Sequence, residues 1–259
     1  MPELNDFLHW LASSWQALLR PLSGAAGHHV PPWMAWHGRA MVLAWGFMLP
    51  LGVLIARFYK ITPGQRWPAV LDNKFWWRCH LALQYGGVLL MTLGLASILS
   101  GSAGKVPWRN PHSLLGWGIV LLAWLQIVGG NLRGSKGGPQ PDGALLRGDH
   151  YDMTPHRLRF ERLHKCLGYG LLLLSAFTIV LGLALADAPL WMWLAQAGWT
   201  LLYLLAFARL QRRGRCIDTY QAIWGPDPAH PGNHVRPVGW GIRRLARHSE
   251  STIKPTAGD

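Results

Sequence analysis

His37, His80, His112 and His164 each stand close to the start of a long apolar segment. Imidazole is the commonest metal ligand among side chains, and two facing imidazoles supply both axial positions of a haem iron. Consecutive membrane helices run in opposite directions, so histidines at their starts alternate sides. That alternation predicts His37 with His112 at one face and His80 with His164 at the other. Two such pairs, stacked across a bilayer, make a route for electrons. Zinc is the competing metal reading, but it wants three or four ligands converging on one centre, and alternation divides these four into two distant pairs.

The elements that must hold these residues are legible from composition. The chain has 259 residues, 50% of them hydrophobic and 14% charged, too apolar for an ordinary soluble domain of that size. Its apolar residues fall in blocks of about 20, the length that crosses a bilayer. The segregation predicts an all-α integral membrane bundle. Spans are expected at about 36–59, 77–99, 112–132, 162–185 and 190–210, the first four forming a two-haem core and the fifth lying beside them. Many of the 16 tryptophans flank these blocks, as in interfacial aromatic belts. Pro50 lies inside the first span, where it frees a backbone carbonyl and can kink the helix.

Three regions follow: 1–32, 33–210 and 211–259. The first lacks a cleavable signal pattern. Leu4, Leu8, Leu11, Trp15 and Leu18 mark a stripe at helical spacing, predicting an amphipathic helix on the membrane surface. The second is the membrane domain. The third is basic, rich in Pro and Gly and too polar to span, and reads as a tail.

The net charge is +13. Arg and Lys concentrate between spans one and two, between three and four, and directly after five (Arg209, Arg212, Arg213, Arg215). All three regions share one face, which the positive-inside rule makes cytoplasmic. The N-terminus is then outside and the C-terminus inside. The charge is thereby read as a membrane-orienting signal, and nucleic acid is not an expected partner. Cys79, Cys166 and Cys216 have no zinc spacing and no CxxCH haem-attachment motif, so haem would be held without thioether links. All three face the cytoplasm in this orientation, where a disulfide is not expected.

The flanks suit a flat, bulky cofactor. Gly116 and Gly168 each follow a histidine by four residues and so share its helix face, removing the side chain that would strike a porphyrin. Gly38, Gly86, Gly87 and Gly94 offer similar room. Arg39 and Arg109 outside, and Arg78, Arg162 and Lys165 inside, are candidates to pair with haem propionates. His150 and His156 are the alternative cytoplasmic ligands, but both precede the expected first turn of the fourth span. The stretch Gly129–Gly138, with Arg133 and Lys136, is a candidate anion-binding turn.

The segment Trp36-His37-Gly38-Arg39, the stretch Leu49-Pro50-Leu51-Gly52-Val53-Leu54-Ile55-Ala56-Arg57, then His80, then His112 with Gly116, and His164-Lys165 with Gly168-Tyr169 resemble the cytochrome b561 family. The likeness is to the ferric-reductase-like membrane module that in some proteins follows a DOMON domain. It covers about residues 33–186, most specifically in the first and fourth spans. Arg147–Thr154 and Trp224–Pro228 look like stretches of bacterial members. The resemblance implies two haem b groups per chain, non-covalent and bis-histidine, with His37 pairing His112 and His80 pairing His164. It also implies electron transfer across a membrane, here a bacterial inner membrane. The expected partners are the bilayer, a second copy in a homodimer, and a donor and acceptor of the quinol, ascorbate-like, ferric-chelate or redox-protein kind. An alternative is a haem b anchor subunit linking a dehydrogenase to the quinone pool. The chain departs from better-known members in having five spans where six are usual.

Overall fold

The computed structural model describes residues 2–25, 29–103, 110–139 and 145–245. Five of its helices are long and apolar enough to cross a membrane: Pro32–Phe58, Phe75–Gly101, Pro111–Asn131, Pro155–Leu185 and Leu190–Arg212. These are the first to fifth spans. The first four meet in one core of Ala44, Trp45 and Leu49, Val88 and Met91, Ile119 and Ala123, and Leu171 and Ile179. The fifth span buries no residue, so it lies against the bundle without completing it.

The first span carries a π-helical stretch, Val42–Met48, immediately before Pro50. There the Leu49 amide reaches back five residues to the Ala44 carbonyl. Proline has no N–H with which to meet the carbonyl four residues before it, that of Gly46. The Trp199 indole N–H, from the fifth span, donates to the Gly46 carbonyl instead. A neighbouring helix thus satisfies the group that proline leaves open, which is how membrane helices tolerate it.

The fourth span starts seven residues earlier than the apolar pattern suggests. Thr154 caps it by accepting from the Arg157 amide at 3.3 Å, and Pro155 fills its first turn. Arg157, Glu161 and Lys165 then pair at successive i,i+4 positions, 3.0 and 2.7 Å apart. That polar turn is helical because its charges answer one another.

At one end of the bundle, the helix Pro2–Leu19 exposes Leu4, Phe7, Leu8, Trp10, Leu11 and Trp15. Its end is tied to the turn between the fourth and fifth spans. The Leu190 amide donates to the Arg20 carbonyl at 3.3 Å, and the Ser23 amide donates to Asp187 at 3.0 Å. At the other end, the region read as a tail is folded over residues 213–245. Its helix Thr219–Trp224 is capped by Asp218, and Cys216, Tyr220 and Ala222 are buried. Arg244 meets Asp218 at 2.8 Å and donates to the carbonyls of Gly232 and Val235. Local polar satisfaction gives this cap an interior that its composition does not advertise. Residues 246–259 lie outside the described residues.

Candidate functional site: two facing histidine pairs

His37 and His112 face each other with ring centroids 6.1 Å apart and planes at 81°. His80 and His164 do the same at 6.3 Å and 78°. Two imidazoles sharing one metal, each with a metal–nitrogen bond of ~2.0–2.1 Å and ~1.1 Å from that nitrogen to its ring centre, stand roughly 6.2–6.4 Å apart. Both pairs fit that spacing. Among the described residues no three His, Cys, Asp or Glu side chains gather into a metal-binding group, so a zinc centre of three or more ligands has no donor set there.

Backbone carbonyls orient three of the four rings. His37 Nδ1 donates to the Gly94 carbonyl at 3.0 Å. His80 Nδ1 donates to the Gly52 carbonyl at 3.1 Å, and His112 Nδ1 to the Thr178 carbonyl at 3.0 Å. A carbonyl can only accept, so Nδ1 carries the proton and Nε2 keeps its lone pair. His164 differs: its Nδ1 is buried without a partner, and its ring stacks on Phe160 at 5.2 Å. These tethers belong to the main chain, which is why motif reading misses them.

The glycines divide into two groups. A Cβ on Gly38 or Gly116 would meet nothing within 4 Å, and one on Gly168 would meet only Gln126 Nε2 at 3.4 Å. That open space is where a flat group could lie against the helices. Gly86, Gly87 and Gly94 do not offer the room expected of them. A Cβ there would come within 2.8–2.9 Å of Met48, Leu49 and Ala40 respectively, so these glycines let the first and second spans approach. Gly182, unremarked in the sequence, gives His112 its place: a Cβ would stand 2.9 Å from the ring.

Arg39 and Arg78 are exposed, with the Arg39 guanidinium over Trp36 at 5.3 Å. Arg109 lies outside the described residues. Lys165 is engaged by Glu161 and by the Val238 carbonyl at 2.9 Å, which leaves its charge already answered. His156 falls in the first turn of the fourth span after all, but donates through Nε2 to the Leu132 carbonyl at 3.0 Å, two turns before His164. His150 is buried, its Nδ1 accepting from the Trp224 indole at 3.3 Å. Burial, then the Arg157 charge, pushes His150 down to about 3. The candidate anion turn is also occupied. Arg133 stacks on Trp77 at 4.4 Å, and Lys136 pairs with Asp72 at 2.5 Å.

Two cations that the sequence marks only as basic residues near the end of the first span are buried. Arg57, buried at the end of the first span, donates to Tyr169 at 3.0 Å, Gln211 at 2.9 Å and the Trp240 carbonyl at 2.9 Å. It joins the first, fourth and fifth spans to the cap. Lys60 donates to the Arg57 and Ile217 carbonyls, and burial lowers it to about 8.

Fold and site together describe a multi-span helical bundle in which two pairs of histidines from different spans face each other. No family model matches the chain, and no solved structure matches it. Among curated proteins it is similar to an Arabidopsis thaliana cytochrome b561, DM13 and DOMON domain-containing protein, 27% identical over 161 residues, 62% of this chain and 16% of that protein. An Arabidopsis cytochrome b561 and DOMON domain-containing protein is 27% identical over 179 residues, 68% of this chain and 38% of that one. A Xenopus laevis protein named "Putative ferric-chelate reductase 1" is 26% identical over 198 residues, 74% of this chain and 30% of the relative. The chain thus spans well under half the length of these relatives. Their names agree with the resemblance to the cytochrome b561 family, and the five long apolar helices fit a multi-pass membrane protein.

Proposed function

We propose that this chain carries electrons across a membrane between two bis-histidine haem b sites. His37 and His112 form the outer site, His80 and His164 the inner. The observation that carries the reading is the pair of matched spacings, 6.1 and 6.3 Å, each between histidines of different spans. These four imidazoles would hold haem b, which would supply one-electron chemistry there. The carbonyls of Gly94, Gly52 and Thr178 keep three rings in the ligating tautomer. Trp45, Met91 and Ile179 are buried in the core that the first four spans share. Gly116 and Gly168 leave faces clear for the porphyrin, and Arg39 and Arg78 stand where propionates meet the interface.

Basic residues crowd the end that carries His80, His164 and the cap, so we place that end in the cytoplasm, in a bacterial inner membrane, with the N-terminus outside. The ferric-chelate reductase name of one relative favours a metal chelate as the outer acceptor. The test is vectorial. Protein reconstituted in liposomes with a trapped reductant is expected to reduce an impermeant ferric chelate added outside. Liposomes holding the His80→Ala variant should not, and equal rates from both would refute transmembrane transfer.

A further inference from the structure

Two arginines on the inner face have no partner among the described residues, and they line the same cavity. It measures about 260 Å³ and is bounded by Arg162 of the fourth span and Arg236, Pro237, Val238 and Gly239 of the cap. Among the described residues no carboxylate lines it. Lys165 cannot neutralise or compete there, because Glu161 and the Val238 carbonyl hold its ammonium. That second contact also ties the cap segment around Val238 to the fourth span.

The surroundings of the cavity are apolar and outward-facing. Leu163, next to Arg162, is 70% exposed, and Trp240, next to Gly239, is 58% exposed. The Trp240 ring lies 6.0 Å from Phe207 on the fifth span. An exposed tryptophan next to the cytoplasmic end of a membrane helix is the residue enriched at the interfacial level of a bilayer. At that depth a guanidinium pair without a carboxylate is matched by phosphate, which arginine grips with two parallel N–H donors. Basic pockets on the cytoplasmic side of membrane helices take lipid headgroups by this chemistry.

We propose that Arg162 and Arg236 bind the phosphate of one anionic phospholipid, whose headgroup bridges the fourth span and the cap. A soluble phosphate shares the chemistry but makes no use of the exposed apolar surface of Leu163 and Trp240. The haem-loaded full chain, relipidated with equal phosphatidylglycerol and phosphatidylcholine, is examined by native mass spectrometry. One phosphatidylglycerol per chain is expected to be retained in preference to phosphatidylcholine. The Arg162→Gln, Arg236→Gln double variant should lower its occupancy about tenfold, the scale of losing one charge-assisted hydrogen bond or more. A control of equal charge loss, Arg159→Gln with Arg213→Gln, should retain it, and the haem spectrum should be unchanged in both. Equal retention by the two double variants, or equal retention of the two lipids, overturns the proposal. So does displacement of the lipid by inorganic phosphate, which assigns the site to a soluble anion. A changed haem spectrum in the first double variant overturns it too, by assigning the arginines to a propionate.

Discussion

The outer and inner histidine pairs have nearly the same spacing and are held in different ways. Both outer rings hang from main-chain carbonyls, those of Gly94 and Thr178, and Gly182 admits the His112 ring. The outer site is therefore fixed by the packing of four spans. At the inner site His80 has its carbonyl, but His164 has only the stack with Phe160 and a buried, unpartnered Nδ1. Around that site stand Arg57, Lys60, the Arg157–Glu161–Lys165 chain and the folded cap. Three of the four rings are thus oriented by backbone carbonyls, and only His164 relies on a side-chain stack, in a neighbourhood of charged groups and beside the cap. A perturbation of the cap should accordingly reach the inner site and spare the outer one.

The largest expected effect breaks the pairing itself. His37→Ala and His112→Ala should each delete the same haem component, and His80→Ala and His164→Ala the other, because one lost axial ligand leaves a site built for two. Absorption spectra of the four purified variants decide it. Deletion of one shared component by His37→Ala and His80→Ala would mean that the pairs are wrongly drawn.

A smaller effect is expected at Arg57. Replacing it by Met removes three hydrogen bonds from a buried cation and the stack on Trp240 at 4.4 Å. The loss should be about 1.5–3 kcal/mol of cap docking, since only the bond to the Trp240 carbonyl reaches the cap and a charge-assisted bond contributes ~1.5–3 kcal/mol. Limited proteolysis should then cut within residues 213–245, with the inner haem band altered and the outer band intact. Unchanged protection would show that the cap is held by other contacts.

Acid should loosen the cap more gently, through His150. The ordinary histidine value is 6.5, and burial followed by the Arg157 charge lowers it to about 3 in the folded chain. Between those values His150 takes up a proton once the cap comes away from it, and refuses that proton while Tyr220 and Trp224 of the cap pack on its ring. Stability is therefore full above pH 6.5 and declines as pH falls toward 3, by at most about 1.4 kcal/mol per pH unit. Glu161, Lys136 and Lys165 also act on this ring. His150→Gln should flatten the pH dependence of amide exchange in the helix Thr219–Trp224. A slope equal to that of the parent chain would remove His150 from the account.

Much of the inner–outer contrast was hidden from the sequence, for identifiable reasons. The five spans were legible because apolar blocks of membrane length are hard to mistake, and the alternation of His37, His80, His112 and His164 follows from helix direction alone. The start of the fourth span was not, because hydropathy ignores a charged turn that pairs with itself at Arg157, Glu161 and Lys165. The carbonyl tethers were not, because every residue carries a carbonyl and only the fold selects Gly94, Gly52 and Thr178. The cap was not, because its polar residues satisfy one another across long separations, as Arg244 does with Asp218 and Gly232. Glycines misled in part. Gly116 and Gly87 look alike in sequence, yet one faces open space and the other Leu49.

The central claim is that each histidine pair holds its own haem. It is tested most directly by the haem-to-protein ratio of the purified chain together with its reduced-minus-oxidised spectrum. Two haem b per chain are expected, both low-spin and both unreactive to carbon monoxide, because two imidazoles close the iron. A ratio near one, or a five-coordinate spectrum that takes up carbon monoxide, would contradict it.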